Sequence, residues 1–182
     1  MRFLVAVLLG TAAAVPASAN DRLQVGGMLG VGVQQEMFGS GDPSGVVLGT
    51  AEAAFGAGLA MADNRPRFQV VMSIMGGQSF TPSSRYVHGG LATFRLHLAP
   101  TRPFGYYTEI GAGVTSSGLK VRELNGWMQY YLLLGGGARW TRGNVDLLLG
   151  YRLTHLSNNG TSPPNRGLNM HTAVVGVMYT LR

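Results

Sequence analysis

Apolar side chains recur at every second position through eight stretches of this chain, with turn-forming residues between them. A strand sends residues i and i+2 to the same face, so this period builds half-apolar β-strands and argues against a helical architecture. The first stretch, Leu23–Gln34, places Leu23, Val25, Leu29, Val31 and Val33 on one face. The last, Asn169–Leu181, does the same with Ala173, Val175, Val177, Tyr179 and Leu181. Between them, strands are expected over 46–60, 68–75, 91–99, 106–114, 128–140 and 145–157, the first of these weakly patterned because alanine and glycine dominate it.

Charge decides what such strands close into. Only 12% of the residues are charged against 46% hydrophobic, and 28 are glycine. That charge share is about half that of an ordinary soluble domain, which would need more to cover a water-facing exterior. Cysteine is absent, so a fold outside the cytoplasm would rely on burial or backbone closure rather than disulfides. The connections are expected to alternate, long around 35–45, 76–89, 115–127 and 158–168 and shorter around 61–67, 99–103 and 141–144. This alternation predicts an all-β fold, an eight-stranded antiparallel up-and-down transmembrane β-barrel with both termini at the short-turn rim. Its interior would hold Arg95, Glu109, Arg139, Asp146 and Arg152, while Tyr106, Trp127, Tyr130, Trp140, Tyr151 and Tyr179 suit interfacial positions. A soluble lipocalin-like barrel would reverse the faces, apolar inside and polar outside.

Met1–Ala19 carries one positive charge (Arg2), an apolar run to Val15 and the small residues Ala17-Ser18-Ala19. This is the layout of a cleaved secretory signal, leaving 20–182 as a single barrel domain. No later stretch is long and apolar enough for a membrane helix.

Chemistry concentrates at the end of the seventh strand. His155 and Ser157 share a face with Val145, Leu147, Leu149, Tyr151 and Leu153, and their Cβ atoms would stand about 6.5–7 Å apart. Serine needs a base to take its proton, and the base needs a third group to hold its ring. Pairing the last two strands about a loop centred near Ser162 sets His155 opposite Asn169, with His171 two residues along. Asn169 could then accept a hydrogen bond from the imidazole. Asn158 and Gly160 follow the serine, where a tight turn could aim backbone N–H groups at an oxyanion. Each has a plainer role in loop formation.

The segment Gly150-Tyr151-Arg152, His155-Leu156-Ser157-Asn158-Asn159-Gly160 and Asn165-Arg166-Gly167-Leu168-Asn169 resembles the outer-membrane lipid A 3-O-deacylases and related acyloxyacyl hydrolases. A looser likeness runs through Arg102-Pro103-Phe104 and Glu109–Val114, so that together it covers roughly the C-terminal half. The resemblance implies an eight-stranded barrel in the bacterial outer membrane that hydrolyses an ester-linked acyl chain of lipid A, with its site toward the cell surface. It implies Ser157 as nucleophile, His155 as general base, and Asn158, Gly160 and Asn165 at the oxyanion site or its support. The family pattern places a glutamate where this chain has Asn169. An amide oxygen can orient the imidazole but supplies no negative charge to steady its protonated form. No acidic residue follows Asp146, and Glu123 is the surface-rim carboxylate the sequence offers instead.

Other functions fit less well. A non-catalytic small barrel, serving adhesion or membrane integrity, explains the alternation but not the convergence of His155, Ser157 and Asn169. Eight strands leave an interior that side chains fill, which disfavours a pore. The formal charge of +6 suits lipopolysaccharide phosphates better than nucleic acid in an exported chain, with Arg85, Lys120, Arg122 and Arg166 in the expected outer loops. The four histidines show no metal-ligand spacing, and no cofactor signature is present. Homodimerisation is open on sequence grounds.

Overall fold

Alternation becomes eight strands in the computed structural model, which describes residues 23–35, 44–62, 65–121, 123–163 and 166–181. The expected signal segment lies outside the described residues. The strands are β1 Leu23–Gln34, β2 Val47–Ala62, β3 Arg65–Thr81, β4 Arg85–Leu98, β5 Phe104–Ser117, β6 Met128–Arg142, β7 Val145–Ser157 and β8 Leu168–Thr180. Each pairs antiparallel with the next, and β8 closes on β1. A row of opposed residues starting at Val33 passes through His171, Leu153, Leu134, Ile110, Phe94, Val70 and Ala57. It returns to β1 at Leu23, ten residues below its start. That stagger tilts every strand against the barrel axis, so a row of paired residues descends as it circles the wall.

The faces follow the sequence pattern and exclude the lipocalin-like alternative. Outward residues are apolar and exposed, as with Ile74 (71%), Leu149 (66%) and Leu29 (62%). Arg95, Arg139 and Arg152 point inward and are buried. Glu109 accepts from Arg95 at 2.8 Å and from Arg152 at 2.7 Å, and Arg152 also reaches Glu52 at 2.5 Å. Asp146 accepts from Thr141 (2.6 Å) and Gln24 (2.9 Å), whereas Arg139 donates to the Pro100 carbonyl at 2.9 Å. Removing one member of a buried ionic group leaves its partners uncompensated. Glu109→Gln is therefore expected to destabilise the barrel by about 3 kcal/mol, measurable as a lower denaturant midpoint for unfolding.

Two features depart from expectation. The interior is polar only in part, because Val46, Leu48, Leu91, Leu133, Leu156 and Met170 form a buried apolar cluster. Leu119 and Leu124, from the β5–β6 connection, fold into that cluster. The second departure concerns 76–89, expected as a long loop. It is mostly strand, with Gly76 opposite His88 and Gly77 opposite Val87, and only 82–84 turn. Two glycines of this segment let strands approach closely: a Cβ on Gly77 would lie 2.6 Å from the Gly49 carbonyl oxygen, and one on Gly89 would lie 2.2 Å from the Val114 carbonyl oxygen. The β1–β2, β5–β6 and β7–β8 connections leave the barrel at the same rim as this short turn, and the start of β1 and the end of β8 meet at the other.

Candidate active site

β7 reaches the loop rim with its alternation intact. Leu156 turns inward and is fully buried, so His155 and Ser157 face outward and are half-buried. On β8 the fully buried Leu168 turns Asn169 outward in the same way. The register sets His155 opposite Asn169, as the sequence predicts, and sets Leu132 and Tyr130 opposite His155 and Ser157 on β6.

The imidazole Nδ1 lies 2.7 Å from Asn169 Oδ1. A carbonyl oxygen only accepts, so Nδ1 carries the proton and Nε2 presents its lone pair. Ser157 Oγ makes no hydrogen bond among the described residues, so His155 and Ser157 share the face without being joined. Below Asn169 on the outward face, Tyr151 and His171 are hydrogen-bonded to each other.

A residue without an assigned role in the sequence pattern packs against the ring as well. Gly167 has φ +77°, and a Cβ built on it would fall 2.3 Å from His155 Cε1 and 3.0 Å from Nε2. Only glycine fits both that backbone conformation and that contact. Its neighbour Arg166 donates its backbone N–H to the Glu123 carbonyl at 2.8 Å. The Glu123 carboxylate in turn accepts from the Ser44 backbone N–H at 2.8 Å and from the Ser44 hydroxyl at 2.5 Å. Three connections are thus clasped together beside the histidine. Burial alone would raise the Glu123 pKa, but the bonds from Ser44 and Gln34 outweigh it and hold the carboxyl below its ordinary value. Glu123, the substitute acid suggested by sequence, is therefore committed to the clasp, and Asn169 is the group that meets His155.

Asn158 and Gly160 build the turn after the serine. Asn159 (φ 53°) and Gly160 (φ 76°) are both left-handed, and Thr161 N–H returns to the Asn158 carbonyl at 3.1 Å. The Asn158 side chain is buried, accepts from Gly160 N–H at 2.9 Å and donates to the Asn125 carbonyl at 2.7 Å. Gly160 N–H, expected to point at an oxyanion, is thus engaged within the turn. Asn165 lies outside the described residues.

A groove of about 420 Å³ opens on the outer wall directly beside His155 and Asn169. Leu153, Leu132, Leu134, Ile110 and Ala112 line it, so it is almost wholly apolar. Ala112 also borders a wider apolar depression of about 790 Å³ that continues past Ala92 and Met72. His155, Leu132, Ala112, Ala92 and Met72 lie on one row of paired residues. No cluster of three potential metal ligands occurs among the described residues.

The model of a family described as lipid A 3-O-deacylase (PagL) matches residues 50–178, from β2 to β8, a span that includes all the candidate site residues. No curated protein sequence matches the chain. Among solved structures, the crystal structure of the outer membrane enzyme PagL is similar at TM-score 0.63 and 13% identity, over 84% of this chain and 97% of that one. The crystal structure of Neisserial surface protein A is similar at TM-score 0.60 and 11% identity, over 89% and 97%. Both likenesses speak to the barrel fold. The family match, over most of the chain and all of the site, carries more: this chain belongs to the lipid A 3-O-deacylase family.

Proposed function

We propose that this protein is an exported outer-membrane esterase that removes an ester-linked acyl chain from lipid A, by serine chemistry at the cell-surface rim of the barrel. The single observation that supports this best is the His155–Asn169 contact at the head of an apolar groove on the outer wall. An apolar wall with a base at its upper edge suits a substrate whose tail lies in lipid and whose ester lies at the headgroup level.

In this reading Nε2 of His155 takes the Ser157 proton as Oγ attacks the ester carbonyl. Asn169 Oδ1 keeps the imidazole in the required tautomer while Nε2 is protonated. The tetrahedral intermediate collapses when Nε2 returns the proton to the departing sugar oxygen, leaving an acyl-serine. Water, deprotonated by the same nitrogen, then releases the fatty acid and restores Ser157. Asn158 and Gly160 support the turn, and the family resemblance assigns Asn165 to the oxyanion site or its support. Mass spectrometry of lipid A from cells expressing the wild type and Ser157→Ala tests the reading. Acyl loss with the wild type alone is expected, and equal acyl loss with both would show that Ser157 is not the nucleophile.

The groove makes a second prediction. Ala112 sits where the groove meets the wider depression, so a bulky side chain there would obstruct a long chain and spare a short one. Discrimination by a hydrophobic pocket is typically worth about 1–3 kcal/mol. Ala112→Phe is expected to slow hydrolysis of long-chain esters at least tenfold relative to short-chain ones, read from rates across a chain-length series.

A further inference from the structure

The loop rim carries a second polar site, away from the histidine and without a role in ester hydrolysis. A cleft of about 490 Å³ lies between the β3–β4 turn and the start of the β5–β6 connection, lined by Gln78, Ser84, Arg85, Tyr86 and Lys120. Both of its cations sit on anchored backbone. Ser79 Oγ accepts the Arg85 N–H at 3.0 Å and donates to the Ser83 carbonyl at 2.7 Å, which fixes the turn. The Gly118 N–H binds the Tyr86 carbonyl at 3.1 Å, and the buried Leu119 roots the connection in the apolar cluster. Lys120, next in sequence, is left exposed at the cleft.

No residue lining the cleft is acidic, and the ion pairs among the described residues include neither Arg85 nor Lys120. Glu123, on the same connection, is held by Ser44. Tyr86 in the cleft wall, and Ile74 below it on β3, are both more than half exposed on the outer face. Two uncompensated cations above an apolar wall match an amphiphile with an anionic head. Arginine and lysine together with hydroxyl and amide donors suit a phosphate in particular.

We propose that this cleft binds a phosphate group of a lipid-anchored glycolipid, holding the headgroup on the β3–β4 side of the rim. The assignment rests on the membrane placement proposed above and not on turnover. From Arg85 to His155 the wall spans three strands, about 14 Å, and the row of paired residues through His155 meets β4 at Ala92, seven residues or about 23 Å along the strand from Arg85, so the two sites address neighbouring molecules.

The test uses full-length Ser157→Ala protein in nanodiscs, where lipid binds without being cleaved. Affinity is measured for lipid A bearing its phosphates and for the same lipid after their removal, with inorganic phosphate as competitor. Arg85→Gln/Lys120→Gln is expected to weaken binding of the phosphorylated lipid about tenfold, with little change for the dephosphorylated form. Arg85→Lys/Lys120→Arg should retain most of the affinity, and added salt should reduce it. Unchanged binding in the double glutamine variant, or equal affinity for both lipids, would overturn the proposal. Displacement by inorganic phosphate at concentrations equal to the lipid would overturn its assignment to a lipid headgroup. Electrophoretic heat-modifiability confirms that each variant is folded, and hydrolysis by the unmodified protein is scored separately, so loss of one reading does not decide the other.

Discussion

Asn169→Glu is expected to raise kcat for acyl-ester hydrolysis by one to three orders of magnitude. The amide oxygen, 2.7 Å from Nδ1, already orients the imidazole, but in the proposed mechanism it would face the protonated ring of the transition state as a neutral dipole. A carboxylate there adds a full charge in a partly desolvated position, where electrostatic contributions are large. In serine proteases the reverse change, from carboxylate to amide, costs about ten-thousandfold, much of it from the wrong tautomer. Here the tautomer is already correct, so the gain should fall short of that figure. Glutamate is one methylene longer than asparagine, and Asn169→Asp provides the shorter control. Steady-state kinetics on a soluble chromogenic ester, with KM and kcat separated, read both. No increase with either acid would mean that His155 does not become charged in the rate-limiting step.

Gly167→Ala should produce the largest loss outside the catalytic residues. The added methyl would overlap the imidazole, 2.3 Å from Cε1, and the φ of +77° would strain an alanine as well. The ring must swing, and a displacement near 1 Å at a reacting group costs about a hundredfold in rate. The expected signature is a kcat lowered about a hundredfold with KM little changed, because Gly167 does not line the apolar groove. The barrel itself should keep its stability, since Gly167 sits in a rim connection. Glu123→Ala should give a smaller loss of the same kind, because it releases Ser44 while leaving the Gly167 contact in place. A change confined to KM in either variant would place their role in substrate binding.

The parts of this molecule governed by local periodicity are readable from its residues. β1 alternates cleanly and is bounded by polar residues, so its ends match the structure; β7 and β8 are patterned well enough to fix the His155–Asn169 pairing. β2 is harder. Alanine and glycine occupy both of its faces, so the inward direction of Glu52, and its ion pair with Arg152, have no sequence signature. The stretch 76–89, expected as a connection, is mostly strand, and Gly77 and Gly89 within it serve close approach between strands. The clasp joins Ser44 to Glu123 across 79 positions, and the apolar cluster recruits Leu119 and Leu124 from a connection with no period. Such contacts depend on where a closed barrel brings its loops, which no local pattern encodes.

The filled interior has a kinetic consequence. Buried ionic groups and apolar side chains pack the lumen, so His155 is open to approach only from the outer wall, the surface on which the proposed chemistry runs. On the proposed reading, a substrate reaching that wall travels in the plane of a bilayer, so the site would sense a mole fraction and not a bulk concentration. Turnover would then be governed by how lipids mix and exchange around a nearly fixed obstacle, and a change in membrane fluidity would act on this protein as a change in substrate supply.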